Sequence, residues 1–191
     1  MNLDLTFQRL TPATWDDFEE LFGPKGACGG CWCMWWRLSK RKFDMQQGEE
    51  NRKAMKALVE EGTVPGIIAY YRDKPVGWCS VAPREQYPRL ERSRLFKRID
   101  ATPVWSIVCF FVAKEYRRMG ISMQLLTAAI DFAHVNGGET IEAYPVVPAK
   151  EAIPDLYGYH GVLSMFLKVG FYEVTVPSET RRLVRYEIIS D

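Results

Sequence analysis

The sequence has no long apolar run, no excess of charge of either sign and no basic N-terminal leader. Its apolar stretches are too short to span a bilayer, and Met1 to Asp4 lack the pattern of a secretory signal. With 25 Lys and Arg against 24 Asp and Glu, the formal charge is +1, which argues against a strongly basic nucleic-acid binder. A hydrophobic content of 47% excludes disorder and collagen. We therefore expect a cytoplasmic protein that binds neither nucleic acid nor a membrane.

Cysteines are few and poorly arranged for a metal site. The chain has five, three of them close together at Cys28, Cys31 and Cys33. A Cys-x-x-Cys pair supplies half of a tetrahedral zinc site, but no second pair follows, and His134 and His160 have no ligand partner at metal spacing. The pair also lies in a Gly- and Trp-rich stretch, not at a helix start where a redox thiol would be activated. We expect no metal and no disulfide.

The order of predicted elements indicates one domain over residues 1–191. Apolar periodicity predicts the order β-α-α-β-β-β-α-β-α-β-β, which corresponds to an α/β protein with a mixed sheet and helices on both faces. Two segments interrupt this order: a Cys- and Trp-rich loop at 23–47 and an insert or flap at 84–103. The insert holds six basic and three acidic side chains with two prolines, so it is expected to be exposed, with at most one helical turn.

One strand-to-helix junction has the composition of an anion site. Residues 104–112 are almost continuously apolar, as in a central strand buried on both faces, and helical periodicity follows, ending at Asn136-Gly137-Gly138. A short loop between such elements leaves the first-turn N–H groups unpaired at the positive end of the helix dipole. Gly120 allows close backbone approach, and Arg117 and Arg118 add positive charge. A helix start that merely contains a glycine is the alternative.

This junction resembles the signature of the GNAT superfamily of acyl-CoA-dependent N-acetyltransferases. That signature is a strand followed by Arg/Gln-x-x-Gly-x-Gly/Ala at a helix start, which here reads from Phe110 to Ser122 with serine at the last small position. The downstream segment from Phe166 to Phe171 is similar to the Tyr-x-x-x-Gly-Phe element of the family. The resemblance covers nearly the whole chain. It implies a GNAT-like fold, with a central mixed, mostly antiparallel sheet flanked by helices.

The resemblance also implies a reaction and a set of binding residues. The reaction is direct transfer, in a ternary complex, of an acetyl group from acetyl-CoA to a primary amine on a small molecule or a peptide. The strand would part from its neighbour at Phe110, Phe111 and Val112, where the pantetheine arm would pair with the backbone. The pyrophosphate would be held by Arg117, Arg118, Met119, Gly120, Ile121 and Ser122. A homodimer is as compatible with the resemblance as a monomer.

Three residues are candidates for catalysis. Glu142 is the first candidate for general base, and it shares a strand face with Tyr144, so burial of one predicts burial of both. His160, in an aromatic and Gly-rich loop, is the second; a core or surface role is the alternative for each. Phe166 lies where many family members have a tyrosine that protonates the departing thiolate. The acid must then be water or a group just upstream, namely Ser164, Tyr157, Tyr159 or His160.

The Cys- and Trp-rich loop allows two interpretations. Its tryptophans either pack beneath the first two helices or form an aromatic wall for an amine substrate, with Arg37 available for a carboxylate. Cys109 is a conceivable acyl carrier, but an apolar strand should raise its pKa and keep it inert. A different class of function, suggested by Phe166 and the clustered thiols, is a non-catalytic acyl-CoA-binding or redox- or metal-sensing module.

Overall fold

A mixed sheet organises the protein in a computed structural model that describes residues 3–148 and 158–189. Within those residues the sheet has seven strands in the order β1-β2-β3-β4-β5-β7-β6. They are β1 (Thr6–Arg9), β2 (Gly66–Tyr71), β3 (Lys74–Pro83), β4 (Trp105–Val112), β5 (Thr140–Ala143), β6 (Tyr172–Ser178) and β7 (Arg181–Glu187). Only β4 and β5 are parallel; every other neighbouring pair is antiparallel. The predicted fold class is confirmed.

Helices cover both faces of the sheet, as predicted. They are α1 (Trp15–Phe22), α2 (Lys40–Met45), α3 (Glu49–Glu60), α4 (Pro88–Glu91), α5 (Ile121–Val135) and α6 (Leu163–Val169). Helices α5 and α6 lie on one face and α1 and α3 on the other. The sequence did not predict α2, because Phe43 is its only buried side chain and a six-residue helix gives no apolar periodicity.

Each face has its own apolar core. Leu125 and Leu126 of α5 pack on one face with strand residues such as Ile107. This helix approaches closely because Gly77 in β3 lacks a side chain; a Cβ there would lie 2.9 Å from Leu125 Cδ1. On the other face, Phe18 of α1 lies edge-on to the buried ring of Trp78, with ring centroids 4.8 Å apart.

The segment 84–103 is mostly exposed and has one short helix, α4, as predicted, but four of its side chains are buried. Arg84, Tyr87, Leu90 and Phe96 are all buried. Tyr87, Leu90 and Phe96 belong to a third apolar cluster, and the Tyr87 hydroxyl lies 3.0 Å from Ser80 Oγ. Arg84 is buried because it has carboxylate partners in Glu91 and Glu142, which its charge alone does not reveal.

Among the described residues, no helix is both long enough and apolar enough to cross a membrane.

Candidate active site

The sheet opens between β4 and β5 at the carboxyl end of β4. The two strands pair only through Trp105–Ile107 and Ile141–Ala143. Beyond Ile107, β4 continues to Val112 along β3, but no described strand pairs with its other side. The chain after β5 instead turns to form an isolated bridge between Val146 and Val162. The sheet therefore parts between β4 and β5, and one edge of β4 has no strand partner among the described residues; we call this gap the cleft.

A β-bulge sets which side chains flank this cleft. Ser80 lies opposite Cys109 and Val81 opposite Ile107, so Val108 has no partner in β3. The extra residue reverses the alternation of β4. As a result, Phe110 packs on the α5 side, whereas Cys109 packs on the opposite side with the Cys- and Trp-rich loop.

The turn that follows β4 ends at Gly120. This residue is the N-cap of α5 and has the left-handed backbone angle φ = 81°, which glycine adopts without strain. Its carbonyl accepts from the amides of Met123 and Gln124 at 3.1 and 3.3 Å, whereas the amides of Ile121 and Ser122 belong to the first turn and have no carbonyl within the helix. Arg117 is tied to the end of the strand, because its Nε donates to the Val112 carbonyl at 3.0 Å.

Comparison with known proteins establishes the family to which this combination of an open strand edge and a glycine turn belongs. Residues 32–158 match the sequence profile of the Acetyltransferase (GNAT) family. The chain belongs to the GNAT acetyltransferase family. Acetyl-CoA is the acetyl donor that GNAT acetyltransferases use. No curated protein matches the sequence.

Solved structures with the same fold are only distantly related in sequence. One is an acetyltransferase of the GNAT family from Listeria monocytogenes, with 13% identity, a TM-score of 0.57 and coverage of 97% of this chain and 96% of that chain. Another is the PaiA N-acetyltransferase of Thermoplasma acidophilum, crystallised with coenzyme A, with 12% identity, a TM-score of 0.55 and coverage of 97% and 100%. At these identities, the likeness establishes the GNAT fold of the chain.

Glu142 is enclosed in a buried ion-pair network. It is 1% exposed, and its Oε2 accepts from Arg84 Nη1 at 2.8 Å while its Oε1 accepts from Arg185 Nε at 3.0 Å. The Tyr144 hydroxyl donates to Oε2 at 3.1 Å and is itself fully buried, which confirms the predicted joint burial of Glu142 and Tyr144. Arg185 is anchored in turn by two hydrogen bonds to Asp100, which hold the pKa of that carboxyl well below its ordinary value.

His160 is a neutral group in the wall of the cleft. It is 3% exposed, and burial, assisted by the nearby Arg181 charge, places its pKa well below the ordinary value of 6.5. The ring lies 5.8 Å from that of Trp36 and 4.0 Å from that of Tyr159, centroid to centroid. Its Nδ1 is buried with no hydrogen-bond partner among the described residues. An unpaired buried nitrogen is costly unless a ligand or water satisfies it.

The other candidates for proton transfer differ in accessibility. Phe166 is fully buried, edge-on to Phe110 with centroids 6.1 Å apart, so it has only a packing role. Ser164 is exposed on α6. Tyr159 keeps its proton at neutral pH, because burial raises its pKa and the nearby Cys109 adds to the effect. Tyr157 lies outside the described residues.

The tryptophans of the Cys- and Trp-rich loop have different surroundings. Trp32 packs beneath α1, stacked on Phe22 with centroids 5.7 Å apart, whereas Trp35 and Trp36 line an open cavity. Arg37, expected to be available for a carboxylate, is instead buried over the Tyr87 ring and donates to the Pro65 carbonyl at 3.5 Å.

The thiols of this region differ in reactivity. Cys33 accepts hydrogen bonds from Cys109 and from Trp78 Nε1, the latter at 3.3 Å, and these donors lower its pKa to about 7. Donating to Cys33 raises the pKa of Cys109 well above its ordinary value, and burial raises it further. Burial raises the pKa of Cys31 to about 11. Among the described residues, no group of three or more His, Cys, Asp or Glu side chains could hold a metal ion.

The burial of His160 makes stability depend on pH below about 6.5. Above about pH 6.5, the pKa of histidine in the unfolded chain, neither the folded nor the unfolded state binds the proton. The contribution of the neutral His160 to the free energy of unfolding is then fully present. Below it, only the unfolded chain binds the proton, because the folded pKa is well below 6.5. The free energy of unfolding should then fall by up to about 1.4 kcal/mol per pH unit. Urea unfolding at closely spaced pH values measures this slope.

The control for this experiment is the other histidine. His134 is exposed on α5, so His134→Gln should keep the slope, whereas His160→Gln should flatten it. A slope that survives in His160→Gln would show that another group binds the proton.

Proposed function

We propose that the protein transfers an acetyl group from acetyl-CoA to a primary amine of an acceptor by direct attack in a ternary complex. The observation that carries this proposal is the parting of β4 from β5 beside the Gly120 turn. It provides a strand edge, an anion-binding helix start and a cleft between them. These are the three features that binding and aligning a thioester with an amine require.

The proposed donor site uses the backbone more than side chains. The exposed edge of β4 at Phe110–Val112 would pair with the pantetheine arm, and one of its N–H groups would donate to the thioester oxygen. The turn from Arg117 to Ser122 would hold the pyrophosphate through first-turn amides and nearby positive charge. Acetyl-CoA supplies the activated acetyl group. The fit is supported by Gly120, whose missing side chain allows a phosphate to approach.

Direct attack is supported by the state of the thiols. A route through an acetylated cysteine needs a thiolate at the cleft. Cys109 is the half-buried thiol of β4, and its raised pKa keeps it protonated. Cys33 has the lowered pKa, but it is buried against Trp78. The thiol of β4 is therefore a weak nucleophile, and the Cys33 thiol, whose pKa is lowered, is enclosed.

We assign the role of proton acceptor to His160 and not to Glu142. Both oxygens of Glu142 already accept from arginines inside the core. His160 is neutral, its Nδ1 has no hydrogen-bond partner in the part of the chain that the structure describes, and its ring contacts Trp36, which lines a cavity. It can take the proton that the amine loses as the C–N bond forms. Tyr159, which keeps its proton, is the candidate donor to the departing thiolate, and the exposed hydroxyl of Ser164 has no role in this proposal.

The type of acceptor, the extent of the catalytic domain and the cellular compartment belong to the same proposal. The acceptor is the amine of a small molecule or a peptide, and the whole chain acts as one catalytic domain. All five cysteines are free, which supports a reducing compartment such as the cytoplasm.

Steady-state release of coenzyme A thiol with a panel of primary amines tests the function. We expect amine-dependent turnover with intersecting kinetics, as in a ternary complex, and a decrease in kcat of about a hundredfold in His160→Gln with unchanged acetyl-CoA affinity. His134→Gln is the matched control and should retain the wild-type rate. Tight acetyl-CoA binding with no turnover for any amine would reject the enzymatic function. Parallel-line kinetics that disappear in Cys109→Ser would reject direct attack.

A further inference from the structure

A cationic cavity lies next to Trp36, whose ring contacts His160. It has a volume of about 390 Å³ and lies between the Cys- and Trp-rich loop and α4. Among the described residues that line it, Lys40, Arg89 and Arg92 are cationic and none is acidic, and Trp35 and Trp36 form its aromatic wall. A volume of this size suits a small molecule.

Arg89 is the best-placed anion ligand in this cavity. Its guanidinium lies 3.4 Å from the ring centroid of Trp35, and its backbone N–H donates to the Trp36 carbonyl at 3.2 Å, so its position is fixed at both ends. The Nη1 nitrogen is buried and has no hydrogen-bond partner among the described residues. Stacking holds the guanidinium plane and leaves its edge for a planar acceptor.

The acidic groups nearest to Arg89 have other partners. Asp44 lies within electrostatic range of Arg89 but forms an ion pair with Lys40 at 2.5 Å. Glu91, on the same helix, contacts Arg84 at 2.6 Å and Arg98 at 2.9 Å. Burial disfavours the charged form of Arg89 and lowers its pKa, so an anion bound here would interact with a poorly hydrated cation.

One side chain connects the wall of the cavity to the proposed site of transfer. Trp36 lines it and also contacts the His160 ring. Trp36 also packs in the same apolar cluster as Val108, the bulged residue of β4, and Tyr159 lies within electrostatic range of both Arg89 and Cys109. A ligand held by Arg89 along the two indoles would therefore extend toward the open end of β4.

We propose that Arg89 and Trp35 form a carboxylate-binding site for the acceptor, which is a small amino carboxylic acid with an apolar linker between its amine and its carboxylate. This inference rests on the proposed function, since it names the substrate class of the same site. The guanidinium binds the carboxylate, the indoles of Trp35 and Trp36 contact the linker, and the amine is directed to the thioester.

The test uses matched ligand pairs with and without the negative charge. 4-(Aminomethyl)benzoate and γ-aminobutyrate are compared with their neutral amides and with the corresponding phosphonates, each by calorimetric titration into the coenzyme A complex and by turnover with acetyl-CoA. We expect the carboxylates to exceed the amides by about tenfold to a hundredfold in affinity and in kcat/KM. Arg89→Met should remove this preference, mainly through KM, and Arg89→Lys should restore part of it.

The matched control is Arg94→Met, which removes an exposed arginine of the same segment that does not line the cavity. It should keep the preference. Equal use of carboxylates and amides, or a preference for the phosphonates, would overturn the inference while leaving amine acetylation intact. Carboxylate binding that is lost in Arg89→Met, without turnover, would uphold the anion site and reject the proposed function. Neither binding nor turnover for any probe would overturn both.

Discussion

Replacing Gly120 with glutamate should abolish acetyl-CoA binding, with a loss in affinity of at least about a hundredfold. Gly120 is the N-cap of α5 at φ = 81°, where a side chain would project from the turn proposed to hold the pyrophosphate. A carboxylate there opposes a polyanion at a helix start that otherwise favours one. Calorimetric titration of wild type and variant with acetyl-CoA and with free coenzyme A measures the loss.

The same helix provides a matched control at its other end. Gly137 has φ = 83°, and a Cβ built on it meets no atom within 4 Å. Gly137→Glu therefore introduces the same charge and a similar backbone strain of about 1–2 kcal/mol, but far from the proposed site. It should bind acetyl-CoA like wild type. If Gly120→Glu also binds normally while both variants remain folded, the pyrophosphate is held elsewhere and the assignment of residues 117–122 is wrong.

Elements with local signals could be predicted from the sequence. The strand-turn-helix unit around Gly120 has its apolar run, glycine and helical periodicity within one continuous segment, and the structure has β4 and α5 at nearly the predicted bounds. The parting of β4 and β5 followed from the resemblance to a family, not from the residues. The extent of β5 depends on pairing with distant β7, which no local pattern reports.

Contacts between distant residues could not be predicted from the sequence. The sequence places Glu142 on a strand face, but its partners Arg84 and Arg185 are 58 and 43 residues away. Likewise, Arg37 adjoins the tryptophans in sequence, yet packing on Tyr87 buries it, and Arg89 lies over Trp35 instead. Charge alone could not distinguish these arginines, because a cation with a buried carboxylate partner and an exposed cation look identical in sequence.

Glu142→Gln should lower the free energy of unfolding by about 3–5 kcal/mol. The substitution removes the negative charge that faces the guanidiniums of two arginines. Arg84 is fully buried and Arg185 is 7% exposed. The glutamine amide also presents a donor where an arginine already donates. Urea unfolding with linear extrapolation measures the change.

Glu91→Gln is the control, because Glu91 also contacts Arg84, at 2.6 Å, but its side chain is 30% exposed. Water screens that pair, so the loss should be at most about 1 kcal/mol. Where both variants are folded, the pH profile of kcat/KM should keep its wild-type shape in Glu142→Gln. A stable variant with an altered profile would instead make Glu142 the general base.

A double substitution distinguishes an unpaired buried charge from a general loss of packing. If the cost of Glu142→Gln comes from uncompensated arginines, removing one of them should recover stability. Adding Arg84→Met removes the guanidinium that donates to Glu142 Oε2 in the wild type, while the methionine side chain still fills part of the same space. The double variant should therefore be more stable than the sum of the two single losses predicts, by about 1–3 kcal/mol in the mutant cycle. Strict additivity would mean that the two side chains stabilise the fold independently, and the network would then be a set of contacts without energetic coupling.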